Sequence, residues 1–200
     1  MKHQRKRTPP KDVAYGLYLY FLGLSYRSTA KALCRFVHGS HVSVWKWIQR
    51  YKPQKVSNKR KKIDGFIIDE TQIKVGSQYV WLWVAIEPKK RQILKFDISF
   101  ERNMLVAERF IASLLDSYGR HQVSTDGGTW YPQACKFLKV EHHIHSSYEK
   151  SVIERTIQYV KDRTECFDDY FPCKKNNCKL KHVKQWLGLF IDQHNKETVC

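Results

Sequence analysis

Apolar residues recur at helical spacing from Asp12 to about Gly23, with Asp12 placed to cap the start and Gly23 to end the run. The pattern resumes at Ser25 in "SYRSTAKALCRFV", where Ala30, Leu33, Cys34 and Val37 share one side and Arg27, Lys31 and Arg35 point elsewhere. "HGS" breaks the helix, and Ser40 is a fit cap for a third, "HVSVWKWIQRY", with a buried stripe of Val44, Trp47, Ile48 and Tyr51. His41, Ser43, Lys46 and Arg50 are left on its outer side. Two short amphipathic helices joined by a glycine-bearing turn describe a helix-turn-helix whose second helix enters the major groove of DNA. An ordinary helical hairpin has the same periodicity, but no acid occurs from Val13 to Ile63. Phosphate contacts tolerate few carboxylates, so this favours DNA.

Beyond residue 62 the texture changes to strands: "IDGFIID", "QYVWLWVAIE" and "RQILKFDIS", separated by the turn signals Gly76-Ser77 and Pro88-Lys89. Three strands with short turns predict an antiparallel meander. "NMLVAERFIASLLDSYG" follows as an amphipathic helix closed by Gly119. Then come a strand "HQVSTD", a helix "YPQACKFLK", a short strand around "VEHHIH", a long helix from about Tyr148 and a last helix "KHVKQWLGLFIDQH". The order β-β-β-α-β-α-β-α-α predicts an α/β domain, a mixed sheet flanked by helices.

Charge divides the chain at the same place. Residues 1–63 carry 16 Lys and Arg against one acid, Asp12, whereas residues 64–200 hold only two of the total net charge of +17. A basic front on a near-neutral back is the distribution of a protein that grips a polyanion with one part and acts with another. "YKPQKVSNKRKK" has six basic residues and no acid and reads as a linker tracking a phosphate backbone, with Lys59, Arg60, Lys61 and Lys62 as contacts. The expected division is therefore residues 1–51 as the helix-turn-helix domain, 52–62 as the linker and 63–200 as the α/β domain. The opening "MKHQRKR" and its apolar sequel imitate a secretory signal, but "PPKD" interrupts them and the run is shorter than a membrane span. A cytoplasmic, DNA-associated protein is expected. Six cysteines lack the density of a disulfide scaffold. Cys166, Cys173, Cys178 and His182 are the one set with zinc-ligand chemistry, but "CKKNNC" lacks the tight two-residue knuckle, and a cationic loop with free thiols is the simpler reading.

Two strands end on aspartate, at "GFIIDET" and "QVSTDGGTWYP". Asp-Gly is an ordinary turn signal. In the predicted sheet, however, the first strand is central and the fourth lies beside it, which brings Asp69 and Asp126 together. Adjacent carboxylates repel unless a divalent cation supplies the missing charge, and hard oxygen ligands suit Mg²⁺.

The helices "RSTAKALCRFVHGSHVSVWKWIQRYKP", the strand ends "IIDET" and "STDGG", and the helix "IERTIQYVKDR" together resemble a DDE-type insertion-sequence transposase of insertion-sequence family six, over nearly the whole chain. The resemblance implies a ribonuclease H-like catalytic domain and a third acid on a late helix, followed seven residues on by a basic residue. Glu154 and Lys161 match, and seven residues are almost two helical turns, so both share a face with Gln158 while Ile153, Ile157 and Val160 hold the opposite side. Glu165 is the rival acid, but Pro172 stands seven residues beyond it. Only 27 residues separate Asp126 from Glu154, fewer than is usual in that family, so the intervening loop is shortened. His142, His143 and His145 fall there and read as strand and loop residues rather than ligands.

The implied activity is binding of a mobile element's inverted-repeat ends, followed by DNA cleavage and strand transfer. Asp69, Asp126 and Glu154 would hold two Mg²⁺ or Mn²⁺ ions, Lys161 would meet phosphate near the cut, and His41, Ser43, Lys46 and Arg50 would read or position the repeat. The partners implied are double-stranded DNA, as ends and as target, and further copies of the chain in a synaptic dimer or larger complex. A non-catalytic DNA-binding repressor is the alternative, although all three acids are present. A ribonuclease H-like nuclease acting on RNA hybrids would not account for a helix-turn-helix.

Overall fold

A computed structural model describes residues 8–50, 63–164 and 180–198. The chain divides into two compact units, residues 1–53 and 54–200.

The first unit packs three helices on one another: α1 (Pro10–Phe21), α2 (Tyr26–Leu33) and α3 (His41–Arg50). Pro10, not Asp12, starts α1, because proline's missing N–H costs nothing in a first turn. Ser25 caps α2, its hydroxyl accepting the Ser28 N–H at 3.1 Å. Leu17, Tyr20, Phe21, Leu33, Val37, Val44 and Ile48 form the core. The expected stripe on α2 holds at Leu33 and Val37 but not at Cys34, which is exposed. The α-helix ends at Leu33 with Cys34 as its C-cap, and the buried side runs through Thr29, Leu33 and Val37, which leaves Cys34 off it. Gly16 lets α1 approach α3, since a Cβ there would sit 2.9 Å from the Trp47 ring. Residues 34–40 join α2 to α3, a longer connection than the three or four residues of a compact helix-turn-helix.

The second unit begins with a meander of β1 (Phe66–Val75), β2 (Gln78–Ile86) and β3 (Ile93–Ser99). After α4 (Met104–Tyr118), the short strands β4 (Val123–Thr125) and β5 (His142–Ile144) flank α5 (Trp130–Phe137). Helices α6 (Ser147–Thr164) and α7 (Leu180–Glu197) complete the described chain. The sheet order is β3-β2-β1-β4-β5, with β1, β2 and β3 antiparallel and β4 and β5 parallel to β1. This is the ribonuclease H-like mixed sheet flanked by helices, with β1 at its centre.

Alternation along β1 sends Phe66 and Ile68 to one face, where Trp83 and Ala85 of β2 meet Phe110, Ile111 and Leu114 of α4 and Tyr131, Ala134 and Cys135 of α5. Ile67 and Asp69 take the other face, and α6 packs on β1 through a buried side that includes Ile153, Ile157 and Val160. Helix α7 packs on the edge strand β3. The Asn195 amide there accepts the Ile93 N–H at 2.9 Å and donates to the Ile93 carbonyl at 2.8 Å, standing in for a neighbouring strand. No helix among the described residues is long and apolar enough to cross a membrane.

Asn195→Ala leaves both backbone groups of Ile93, a residue 2% exposed, without these partners. The expected cost is about 1–3 kcal/mol, read as a fall in Tm of ~2–4 °C per kcal/mol by thermal unfolding. Asn195→Asp, which keeps the acceptor but sets a carboxylate oxygen against the Ile93 carbonyl, should be no more stable than the alanine variant at pH 7.

Candidate active site

The parallel pairing of β1 with β4 aligns Phe66 with Val123 and Ile67 with Ser124. Two residues further on, the same register sets Asp69 opposite Asp126. Only β4 ends at this level: β1 does not stop at Asp69, as the sequence suggested, but runs on to Val75, because Asp69 and the residues after it stay paired with β2, from Asp69 with Val84 to Val75 with Gln78. Oxygens of Asp69, Glu70 and Asp126 lie within 4.8 Å of one another. Asp69 is half-buried and Asp126 exposed.

The turn after Asp126 explains its two glycines. Gly127 has φ +87°, the left-handed region that other residues avoid. At Gly128 a Cβ would meet the Trp130 indole at 2.7 Å, so the ring folds back onto the bare backbone. The Gly128 N–H donates to Asp126 Oδ1 at 2.9 Å, and the Glu70 N–H donates to Asp69 Oδ1 at 2.8 Å. Each aspartate is thereby oriented by a backbone donor.

Glu154 arrives from α6. Only two residues, His145 and Ser146, join β5 to α6. The helix start is locked by a reciprocal capping box: the Ser146 N–H donates to Glu149 Oε2 at 2.8 Å, and the Glu149 N–H donates to Ser146 Oγ at 3.3 Å. Burial works against the Glu149 charge, but the Ser146 donors and His143, 3.1 Å away, hold its carboxyl below the ordinary range. Two turns later Glu154 lines a cleft of about 470 Å³ together with Asp69, Asp126, Ile144, His145, Lys150 and Ile153. Lys150 stands 3.9 Å from Glu154, one turn before it. Lys161 lies seven residues beyond Glu154, roughly 10 Å along the helix axis, and is not part of the cleft wall.

The histidines sit as strand and loop residues. His142 bonds Thr125 Oγ1 at 2.8 Å, and His145 Nδ1 bonds Ser124 Oγ at 2.7 Å. Burial lowers the pKa of both, so both rings are neutral at pH 7.

Electrostatics separate the three acids of the cluster. Burial raises Glu70 above its ordinary value, against the pull of hydrogen bonds from Tyr131 and Arg102. Asp69 is pushed up to about 7, first by burial and then by the charges of Glu70 and Asp126. Its ionised form therefore calls for a cation, and a donor set made only of carboxylate oxygens is the hard set that Mg²⁺ and Mn²⁺ take.

The fold places Asp69, Asp126 and Glu154, the three acids that the sequence marks, at one cleft. Nothing in the sequence marks Lys150 for the cleft wall, where it joins His145, or discloses the partners of Glu70, although Glu70 and Tyr131 stand inside "DET" and "GTWY". On α3, His41, Lys46 and Arg50 are exposed and Ser43 is half-buried, while Val42 and Trp45 share exposure with them. Lys59, Arg60, Lys61 and Lys62, the rival Glu165, and Cys166, Cys173 and Cys178 lie outside the described residues; His182 is half-buried on α7.

Residues 63–188 match a family model described as a DDE domain. The transposase for insertion sequence element IS257 in transposon Tn4003 of Staphylococcus aureus is 32% identical over 178 residues, covering 82% of this chain and 79% of that protein. An uncharacterized protein of Methanocaldococcus jannaschii is 33% identical over 195 residues, covering 97% and 89%. Among solved structures, the HTLV-2 integrase catalytic core domain in complex with magnesium has a TM-score of 0.47 at 12% identity, over 64% of this chain and 83% of that one. The catalytic core domain of BIV integrase has a TM-score of 0.44 at 18% identity, over 62% and 80%.

A carboxyl raised to about 7 from 3.8 is protonated in the folded chain and ionised in the unfolded one between those values. Metal-free stability is therefore lost as pH rises from about 4 to about 7. Asp69→Asn removes that loss. In EDTA the variant should be more stable than the parent at about pH 7.5, by about 1–3 kcal/mol after solvent screening at a half-buried site, and equal to it near pH 4. Thermal unfolding across pH reads both ends.

Proposed function

The chain belongs to the DDE transposases of insertion-sequence family six, polynucleotidyl transferases with a ribonuclease H-like catalytic domain, and on that premise we propose that it binds the inverted-repeat ends of its own mobile element and cuts and joins DNA at the cleft of Asp69, Asp126 and Glu154. The observation that carries this reading is the convergence of acids from β1, β4 and α6 on one cleft.

Asp69, Asp126 and Glu154 are the residues that would hold two divalent cations. When bound, Mg²⁺ or Mn²⁺ supplies Lewis acidity, easing deprotonation of the attacking water or 3′-hydroxyl and offsetting charge on the leaving oxygen of an in-line displacement at phosphorus. Asp69 comes from the rigid centre of the sheet and fixes the site against the core. Asp126 sits on a glycine turn whose positive φ at Gly127 and close Trp130 ring at Gly128 fix the position of its carboxylate. Glu154 is exposed on a helix surface and closes the site from the opposite wall. Lys150, 66% exposed at the cleft, is placed to meet a phosphate, and Lys161 to meet another further along the strand. No covalent enzyme intermediate is required.

End recognition falls to the first unit. His41, Lys46 and Arg50 make a polar, basic outer face on α3 without an acid. Ser43 and the exposed Val42 and Trp45 add contacts to base edges and thymine methyls. Lys59, Arg60, Lys61 and Lys62 carry the backbone contacts onward. Bringing two ends together calls for at least two copies of the chain.

Asp126→Asn and Glu154→Gln should each lower strand transfer of pre-cut ends by at least ~100-fold in Mg²⁺ and Mn²⁺, with end binding and circular dichroism unchanged. Wild-type joining by Asp126→Asn would return that aspartate to a turn residue and refute the site. Lys46→Ala combined with Arg50→Ala should weaken end binding and reduce the slope of log affinity against log salt by about two. An unchanged slope would mean that α3 does not lie on DNA.

A further inference from the structure

Glu70 follows Asp69 in the chain but points to the opposite face of the sheet, because successive strand residues alternate. Its side chain is 0% exposed. Oε1 accepts from Arg102 Nε at 2.6 Å and lies 2.6 Å from Arg102 Nη2, while Oε2 accepts from the hydroxyl of Tyr131, itself 0% exposed. The Arg102 guanidinium lies between two indoles, 4.6 Å from the Trp81 ring centre and 4.2 Å from that of Trp130. Trp130 in turn presses on Gly128, whose N–H holds Asp126. Contacts thus run from Glu70 through Arg102 and Trp130 to the Asp126 turn, and from Glu70 through Tyr131 to the first turn of α5. At the near end, the Glu70 N–H holds Asp69.

We propose that Glu70, Arg102 and Tyr131 form a charge-balanced brace behind the sheet that sets the separation of Asp69 and Asp126, and that Glu70 is a positioning residue rather than a third ligand. Both Glu70 oxygens are occupied, and Glu70 does not line the cleft that Asp69, Asp126 and Glu154 share. The inference rests on the reading of Asp69 and Asp126 as cation ligands. Its consequence is selectivity: Mg²⁺ demands near-octahedral geometry at short distances, whereas Ca²⁺ accepts flexible coordination at longer ones. A loosened brace should therefore harm Mg²⁺ binding more than Ca²⁺ binding.

The test is calorimetric titration of the full-length protein with Mg²⁺ and with Ca²⁺. Tyr131→Phe removes one hydrogen bond without changing charge, and Arg102→Lys keeps the charge but loses the fork and the stacking. Each should weaken Mg²⁺ binding about tenfold, as loss of a partner behind a ligand does, with Ca²⁺ affinity within about threefold of the parent. Circular dichroism melts in EDTA check folding, and Arg102→Lys carries the test where Tyr131→Phe melts too low. Unchanged Mg²⁺ affinity, or equal losses for both ions, overturns the brace. So does a Glu70→Gln variant that loses both ions as completely as Asp69→Asn does while Tyr131→Phe is silent, since Glu70 is then a ligand. Parent-like binding by Asp69→Asn instead overturns the cation site itself, a failure separate from that of the brace.

Discussion

Carboxylates whose oxygens lie within 4.8 Å of one another repel strongly wherever water is partly excluded, and this chain places Asp69, Glu70 and Asp126 in that relation. The molecule resolves the conflict by dividing the acids between the two faces of β1. Glu70 is turned inward, where Arg102 and Tyr131 hold both its oxygens. Asp69 is turned toward α6 with the Glu70 N–H as a donor, and burial, followed by the charges of Glu70 and Asp126, pushes its carboxyl up to about 7. Asp126 joins it from the next strand. Both oxygens of one carboxylate are held by side chains of the protein, and the other two face the cleft, which under the proposed function is where cations bind.

The remaining architecture serves that division. Parallel pairing of β1 with β4 sets the two aspartates at one level, and the core of α4 and α5 behind the sheet keeps that level rigid. On the open side, Glu154 depends on where α6 begins. The Ser146–Glu149 capping box starts the helix two residues after β5, so that Glu154, two turns on, reaches the cleft. Acids from the middle of β1, the end of β4 and one turn of α6 thus meet at one cleft.

Much of this was legible in the residues, for reasons that differ from one to the next. The strand order follows from alternation and turn signals, and Asp69 and Asp126 stand out as charges set directly after strand-like runs, although β1 continues past Asp69 to Val75, which the sequence did not disclose. Glu154 is an exposed acid on an amphipathic helix with nothing local to mark it, and only the resemblance of "IERTIQYVKDR" singled it out. The Glu70–Arg102 pair spans 32 residues and two elements, so no local pattern discloses it. Cys34 is exposed because the buried side of α2 runs through Thr29 and Leu33 to Val37, and an apolar letter beside Leu33 does not disclose which neighbour faces the core. The capping box lies in plain view in "SSYE", but its importance depends on how short the β5–α6 connection is.

The central claim is that Asp69, Asp126 and Glu154 hold the cations while Glu70 does not. Anomalous diffraction from crystals soaked in Mn²⁺ locates the ions without recourse to activity. Density bounded by carboxylate oxygens of Asp69, Asp126 and Glu154, with the Arg102 and Tyr131 contacts to Glu70 intact, is the result this account predicts. Manganese coordinated by Glu70 after release of Arg102, or bound away from Asp69 and Asp126, would contradict it.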